Sequence, residues 1–315
     1  MNGHPNKIVR THKNSYNYAD MIRETAPPHN VALLAHPKIP HALESAQEIS
    51  TYLHNQGVAA KAGSLNDQKF RQVVNEQKFD LAIALGGDGT MLRAGHLCVP
   101  LDIPLLGINV GHFGFLAELG LDNWRDILPR LLRGDFRYEE RLILNASCFC
   151  KGKQHSMFDV INDVVVARGR FVRPIGVEVQ LDGSHIVSYV ADGLIAATPT
   201  GSTAYSLAAG GPILPPESRN ILLMPVAPHL SIDRAVVLSE GANLFIKVQT
   251  QHEAVVSVDG QDPVHMISGD GVQIKAHEKS LCMVRFEDPG YFYRNLTSYM
   301  EHNPTLRIKS NGDND

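Results

Sequence analysis

The stretch Leu85-Gly86-Gly87-Asp88-Gly89-Thr90 constrains this chain more than any other. It closes an apolar run, Asp80 to Leu85, that reads as a buried strand, and it opens a helical stretch beginning at Thr90 and Met91. Three glycines in four positions permit positive φ and leave no Cβ in the way, so a phosphate chain can lie against the backbone. The N–H groups that start the following helix lack intrahelical partners and face that anion. Gly86, Gly87 and Thr90 are thus the candidate phosphate loop. Asp88 is the odd residue, because a carboxylate repels phosphate unless it holds a metal or takes up a proton. The alternative is a tight strand-to-helix turn with Asp88 as a cap.

Around this loop the first half alternates. Val31 to Ala35 reads as a strand, and His41 to Asn55 as a helix with Leu43, Ala46, Ile49 and Leu53 at helical spacing and Gly57 as its C-cap. Val58 to Ala62 and Pro104 to Val110 read as further strands, Asp67 to Gln77 and Trp124 to Leu132 as helices, the last stopping near Gly134. That alternation predicts a parallel sheet with helices on both faces. The second part changes character. Val177 to Gly183 alternates with period two and ends in a hairpin-type Asp-Gly, and Phe245 to Val248, Val255 to Val258 and Val272 to Ile274 are short strands. One helix is expected near Thr203 to Ala209. The expected architecture is an α/β domain with a parallel sheet over residues 1–140, rejoined by a returning segment 287–315, and a β-rich domain over 141–286. The boundary falls near Arg141.

Composition excludes several classes. A net charge of −4 over 315 residues gives no general pull toward nucleic acid or an anionic membrane. No apolar run approaches the ~18 residues of a spanning helix. Met1 to Asn30 is polar, lacks an apolar signal core, and reads as a mobile tail. Cys98, Cys148, Cys150 and Cys282 suggest packing thiols rather than a disulfide framework, which fits a cytoplasmic location. Walker-type and G-x-G-x-x-G motifs are absent, and no two of the fifteen histidines lie within four positions, so there is no H-E-x-x-H site.

Two further stretches carry chemistry. Ala191-Asp192-Gly193 leads into Thr198-Pro199-Thr200-Gly201-Ser202-Thr203-Ala204-Tyr205-Ser206, a loop dense in backbone and hydroxyl donors. Pro199 and Gly201 set its turns, and Ser202 or Thr203 can cap the helix that follows. Such a loop suits a ribose or an amide of a nucleotide, or is a hydroxyl-rich turn with a good cap. The polar pair Asn162-Asp163 interrupts the apolar run Val160 to Val166. Burying it without partners is costly, so it is either a bulge at a solvent edge or a ligand contact. The arginines at 168, 170 and 173 form a solvated loop or a phosphate contact.

Taken in order, Gly86 to Thr90, the Gly107-Ile108-Asn109 run with Gly111 to Leu116, Asn162-Asp163, and Asp192 to Gly211-Pro212 resemble the NAD kinase family, from about Leu81 to Asp259-Gly260-Gln261. The resemblance implies an α/β domain of diacylglycerol kinase or phosphofructokinase type, a β-rich NAD-binding domain, and a site in the cleft between them. It implies transfer of the ATP γ-phosphoryl group to the adenosine 2′-hydroxyl of NAD, giving NADP. Mg²⁺ or another divalent cation would assist, with no protein ligand set assigned to it, and polyphosphate is an alternative donor. Matching positions make Asp88 the proton acceptor, with Gly89 and Arg93 facing the substrate. Asn162 and Asp163, the basic Arg173 and the acidic Asp192 would contact NAD. Thr203, Ala204, Tyr205, Ser206, Leu207, Ala208 and Gln261 would complete the dinucleotide site. The implied partners are NAD and ATP, with a homodimer or homotetramer as the assembly and neither nucleic acid nor membrane. Asp163 departs from the usual Glu, and Val190 stands where many members carry a basic residue. A diacylglycerol-type lipid kinase and a non-catalytic NAD(P)-binding regulator are the alternatives.

Overall fold

A computed structural model describes residues 25–111, 114–229 and 233–301. Most of the expected tail, residues 1–24, and the last part of the returning segment lie outside the described residues.

The first half runs β1 (Asn30–Ala35), α1 (Pro40–Asn55), β2 (Ala59–Ser64), α2 (Gln68–Glu76), β3 (Leu81–Leu85), α3 (Asp88–Cys98), β4 (Leu105–Asn109), β5 (Leu119–Gly120) and α4 (Trp124–Leu132). The order β4-β3-β1-β2 is parallel throughout. Strands β1, β3 and β4 are covered on both faces, which is why they read as unbroken apolar runs. One face packs Val31, Leu33 and Ile83 on Ala46, Ile49 and Leu53 of α1 and Trp124 and Leu128 of α4. The other packs Ala32, Leu34 and Ala82 on Phe70 and Val74 of α2 and Met91 and Ala94 of α3. Each fully buried Ile or Leu of these stripes contributes about 1.5–3 kcal/mol by transfer from water. Gly57, at φ 80, ends α1 in the left-handed turn expected of it.

The second half is β-rich. It contains β6 (Arg137–Cys150), β7 (Lys153–Val160), β8 (Asp163–Arg168), β9 (Ile175–Leu181), β10 (Ser184–Ala191) and β11 (Gly193–Ala197). There follow α5 (Tyr205–Ala208), β12 (Asn220–Val226), β13 (Val236–Ser239), β14 (Leu244–Gln249), β15 (Ala254–Val258), β16 (Val264–Met266) and β17 (Gly271–Arg285). Asp182 (φ 51) and Gly183 (φ 82) make the β9–β10 turn, as the Asp-Gly pair requires. One antiparallel sheet has the order β13-β12-β11-β8-β15-β16. The other strands do not form a separate sheet. β17 pairs antiparallel with β6 and β14 and, through Met283 and Leu105, parallel with β4, giving one eleven-stranded sheet across both halves. Between the two sheets lies a core that includes Leu144, Val179, Ile246 and Ile274 facing Val166, Leu194, Leu223 and Val256. The described residues end in α6 (Tyr291–Arg294) and α7 (Leu296–Glu301), with the Phe292 ring 6.4 Å from that of Phe115.

Three local expectations change. Asn162-Asp163 does not interrupt one strand. The chain leaves the large sheet at Val160 and enters the small one at Asp163, so the pair marks a crossing between sheets. The helix near Thr203 shrinks to a 3-10 turn at Gly201–Thr203 and the four-residue α5, and neither Ser202 nor Thr203 caps it. The Ser202 hydroxyl donates to the Pro199 carbonyl (2.6 Å) and accepts from Leu214 N–H (3.0 Å), while Thr203 donates to Thr200 (3.0 Å). Arg141, near the expected boundary, sits inside the unbroken β6.

Candidate active site

The glycine loop joins β3 to α3. A Cβ on Gly86 would collide with the Thr90 side chain, so Thr90 packs directly beneath the loop, where its hydroxyl is buried without a hydrogen-bond partner among the described residues. Gly87 and Gly89 face open space on the outer side. There a cavity of about 450 Å³ is lined by His36, Gly87, Gly89, Thr90, Arg93 and Asn109, among others. Arg93 Nε donates to the Gly89 carbonyl (3.3 Å). Burial, then the charges of Arg93 and Lys38, hold the His36 imidazole below its ordinary range.

Asp88 is the first residue of α3, but its carboxylate does not cap the helix. It accepts the N–H groups of Phe115 (2.9 Å) and Leu116 (3.0 Å), and Gly114 leaves the space it occupies. Burial pushes its pKa up, while those two amides and the charges of Arg141 and Arg285 oppose the rise. Nearby lies a buried charged cluster that sequence reasoning missed. Glu139 accepts from Arg141 Nε (2.8 Å) and Arg285 Nε (3.1 Å). Burial opposes its ionisation, but the two guanidinium groups outweigh burial and keep it well below the usual carboxylate range. Glu118 accepts from the N–H groups of Phe286 (2.7 Å) and Glu287 (3.2 Å). The available signal was the i, i+2 spacing of Glu139 and Arg141, which puts both on one face of a strand.

The second wall is the sheet crossing. The Asn162 carbonyl accepts Thr198 N–H (2.8 Å), and the Thr198 hydroxyl donates to Ile161 (2.6 Å) and accepts from Gly201 N–H (3.0 Å). A Cβ on Gly201 would strike the Asn162 backbone, so only glycine allows this approach. Asp259, at φ 49, accepts the N–H groups of Ile161 (2.8 Å), Asn162 (2.7 Å) and Asp163 (3.0 Å). Its role was not read from the sequence, where Asp259-Gly260 resembles any turn. His96 Nε2 of α3 lies 2.9 Å from Asp259 Oδ2, off the hydrogen-bonding direction. Asp163 is 5% exposed and accepts from the Tyr205 N–H. Burial and then the charge of Asp259 raise its pKa to about 7.

The crossing thus gathers Asn162, Asp163 and the Thr203 to Ala208 segment. Within that segment Tyr205 is 47% exposed and Ser206 is buried against Gly211, its hydroxyl without a hydrogen-bond partner among the described residues. Thr203, Ala204 and Leu207 are half-buried and Ala208 is exposed. Gln261 joins Arg93, His96 and Asp259 around a cavity of about 390 Å³, which connects this wall to α3. Asp192 and Arg173 lie elsewhere. Asp192 pairs with Arg168 (3.2 Å), at the end of the β8–β11 ladder opposite Asp163. Five residues of strand separate the two ends, ~17 Å at about 3.3 Å per residue.

A glycine loop at the carboxyl edge of a parallel sheet, faced by a hydroxyl-rich loop from a β-rich half, defines a nucleotide-handling phosphotransferase class. Family models agree. The ATP-NAD kinase N-terminal domain matches residues 4–136 and the ATP-NAD kinase C-terminal domain residues 161–286. An NAD kinase of Chloroflexus aurantiacus is 36% identical over 269 residues, covering 85% of this chain and 97% of the relative. One from Dehalococcoides mccartyi is 36% identical over 274 residues, covering 87% and 96%. Among solved structures, yeast NADH kinase complexed with NADH aligns with TM-score 0.77 at 25% identity, covering 90% of this chain and 91% of that one. An Archaeoglobus fulgidus NAD kinase in complex with ATP aligns with TM-score 0.68 at 25% identity, covering 87% and 99%. The chain belongs to the NAD kinase family.

Proposed function

We infer that this chain is an ATP-dependent NAD kinase that transfers the γ-phosphoryl group of ATP to the adenosine 2′-hydroxyl of NAD, giving NADP. The observation that carries this reading is that Arg141, whose charge acts on Asp88 at the start of α3, also donates to the Thr200 hydroxyl, so the glycine loop and the Thr198 to Ser206 loop border one site. Phosphoryl transfer requires an aligned hydroxyl and neutralised phosphate charge. In this reading the Gly86 to Thr90 loop receives the phosphates on the open side of Gly87 and Gly89, with Arg93 beside them. Asp88 orients the 2′-hydroxyl and takes its proton. Two of its roughly four lone-pair sites are used by Phe115 and Leu116, leaving capacity for a hydroxyl. Asn162, Asp163, Gln261 and the segment Thr203 to Ala208 hold the dinucleotide, with the exposed Tyr205 ring offering a face and a hydroxyl.

Among the described residues no group of three His, Cys, Asp or Glu side chains converges as a metal cage. In this reading Mg²⁺ or another divalent cation accompanies the ATP phosphates, whose charge it neutralises. The fold of residues 1–140 with 287–315 is assigned to the diacylglycerol kinase and phosphofructokinase type, and residues 141–286 to NAD binding. Asp192 stands at the far end of the β8–β11 ladder, ~17 Å of strand from Asp163, and with Arg173 is read as a further NAD contact in a homodimer or homotetramer. No described helix is long and apolar enough to cross a membrane. The buried thiols of Cys98 and Cys148 fit our assignment to the cytoplasm, where thiols stay reduced. Incubation with ATP, Mg²⁺ and NAD tests the reading. NADP should form, and its absence rejects a kinase. Phosphorylation of diacylglycerol instead would favour the lipid-kinase alternative.

A further inference from the structure

We propose that Glu139 is a positioning residue whose buried carboxylate ties the Phe115–Leu116 segment that holds Asp88 to the hydroxyl-rich loop, fixing both walls of the site in one geometry. This rests on the kinase reading. Glu139 is 5% exposed, and its Oε1 accepts from both Arg141 and Arg285. Each arginine reaches onward to a different wall. Arg285 Nη1 donates to the Leu116 carbonyl (3.0 Å), and the Leu116 and Phe115 N–H groups donate to Asp88. The Leu116 backbone is therefore held at its carbonyl by Arg285 and at its N–H by Asp88. Arg141 Nη1 donates to the Thr200 hydroxyl (3.3 Å), next to the Gly201 that touches Asn162.

Charge explains why the node must be an anion. Arg137 and Arg285 stand directly opposite each other in the β6–β17 ladder, an arrangement that repels. Glu139 lies between them, with Arg137 also bound to Glu217 (2.8 Å). Removing the Glu139 charge leaves Arg141 and Arg285 facing Asp88 as a remaining carboxylate whose field they feel. A buried pair that loses one partner leaves the other uncompensated. The guanidinium groups would then turn toward Asp88, release Leu116 and Thr200, and shift the proton acceptor from its place.

The test compares Glu139→Gln, Asp88→Asn and the double variant in the full chain, with ATP, Mg²⁺ and NAD. Glu139→Gln should lower kcat about 10²-fold, the scale of a small misplacement of reacting groups, while KM for each substrate changes less than about threefold. In the Asp88→Asn background the same substitution should lower kcat less than about threefold, because there is no acceptor left to position. Equal losses in both backgrounds, or a lower melting temperature with unchanged kcat, overturn the proposal. A second readout needs no activity. Hydrogen exchange at the Phe115 and Leu116 amides should accelerate at least about tenfold in Glu139→Gln, with β1 amides unchanged. Unaltered exchange at 115 and 116 overturns the proposal, whereas failure of the wild-type chain to make NADP rejects the kinase reading and leaves exchange to decide this one. Should Glu139→Gln not fold, Arg285→Lys carries the same readouts, since lysine keeps the charge but lacks the fork that reaches both Glu139 and Leu116.

Discussion

Asp88 binds two backbone amides with the carboxylate that the proposed chemistry needs. Asp88→Asn should lower kcat by about 10²–10⁴-fold, the range for losing a general base. It should also cost about 1 kcal/mol of stability, because the amide NH₂ then faces one of the two N–H donors. Near-normal kcat would remove Asp88 from the mechanism. Asp163 gives a different signature. The folded protein holds its proton up to about pH 7, against an ordinary value of 3.8. Between those values the folded state binds more protons than the unfolded state, so this group makes stability fall as pH rises, and the loss is complete above the folded pKa. Asp163→Asn should flatten that fall, with a gain over wild type of a few kcal/mol at most, greatest near pH 8. Urea unfolding at pH 5 and pH 8 measures it, and identical pH slopes in both proteins would refute the assignment. The glycines and Asp88 were legible because their chemistry is local. Glu139, Arg285 and Asp259 were not, because their partners lie across strands, 146 residues apart for the Glu139–Arg285 bond.

At the scale of elements, the decisive features are junctions. The strands and helices of the first half match the apolar runs to within a few residues, since burial on both faces writes itself into composition. The Asn162 junction was harder, because a run of Val and Ile looks the same whether it continues one strand or passes between sheets. The polarity of the pair was the visible trace of that passage. Gly201→Ala forces a methyl group into the Asn162 backbone, which cannot yield as a side chain would. We expect a loss of about 1–3 kcal/mol and a raised KM for NAD. Calorimetry with kinetics checks this, and an unperturbed Gly201→Ala protein would mean the two loops are not in contact. Tyr205 makes the opposite case. With nearly half its surface exposed, its truncation to Ala should leave the unliganded melting temperature within a degree or two and raise KM for NAD. A large melting loss with unchanged KM would make it a structural tyrosine.

Across the whole molecule, the two-part composition predicted from the sequence is real, but its halves share a sheet. The parallel strands and the antiparallel strands announced themselves through different patterns, and nothing in a pattern says that β17 joins them edge to edge. That join implies joint unfolding. Trp124, the one tryptophan, reports on the first half, while far-ultraviolet circular dichroism is weighted across both. Their urea midpoints should coincide. Separate midpoints would show two independently stable halves.

The long stretch of chain between β4 and β17 has a consequence for how the protein is made. Leu281, Met283, Val284 and Phe286 complete the cores on both faces of the N-terminal sheet, and β17 covers the Leu105 end of the β4 edge that β5 leaves open. A ribosome delivers β4 roughly 170 residues before it delivers those side chains, about ten seconds or more at typical elongation rates. During that interval the nascent first half carries an unpaired strand edge and unfilled apolar hollows, both of which invite association with other chains. The protein therefore cannot complete its first half until β17 has been synthesised, and its yield in the cell should depend on chaperones that shield the waiting edge of β4.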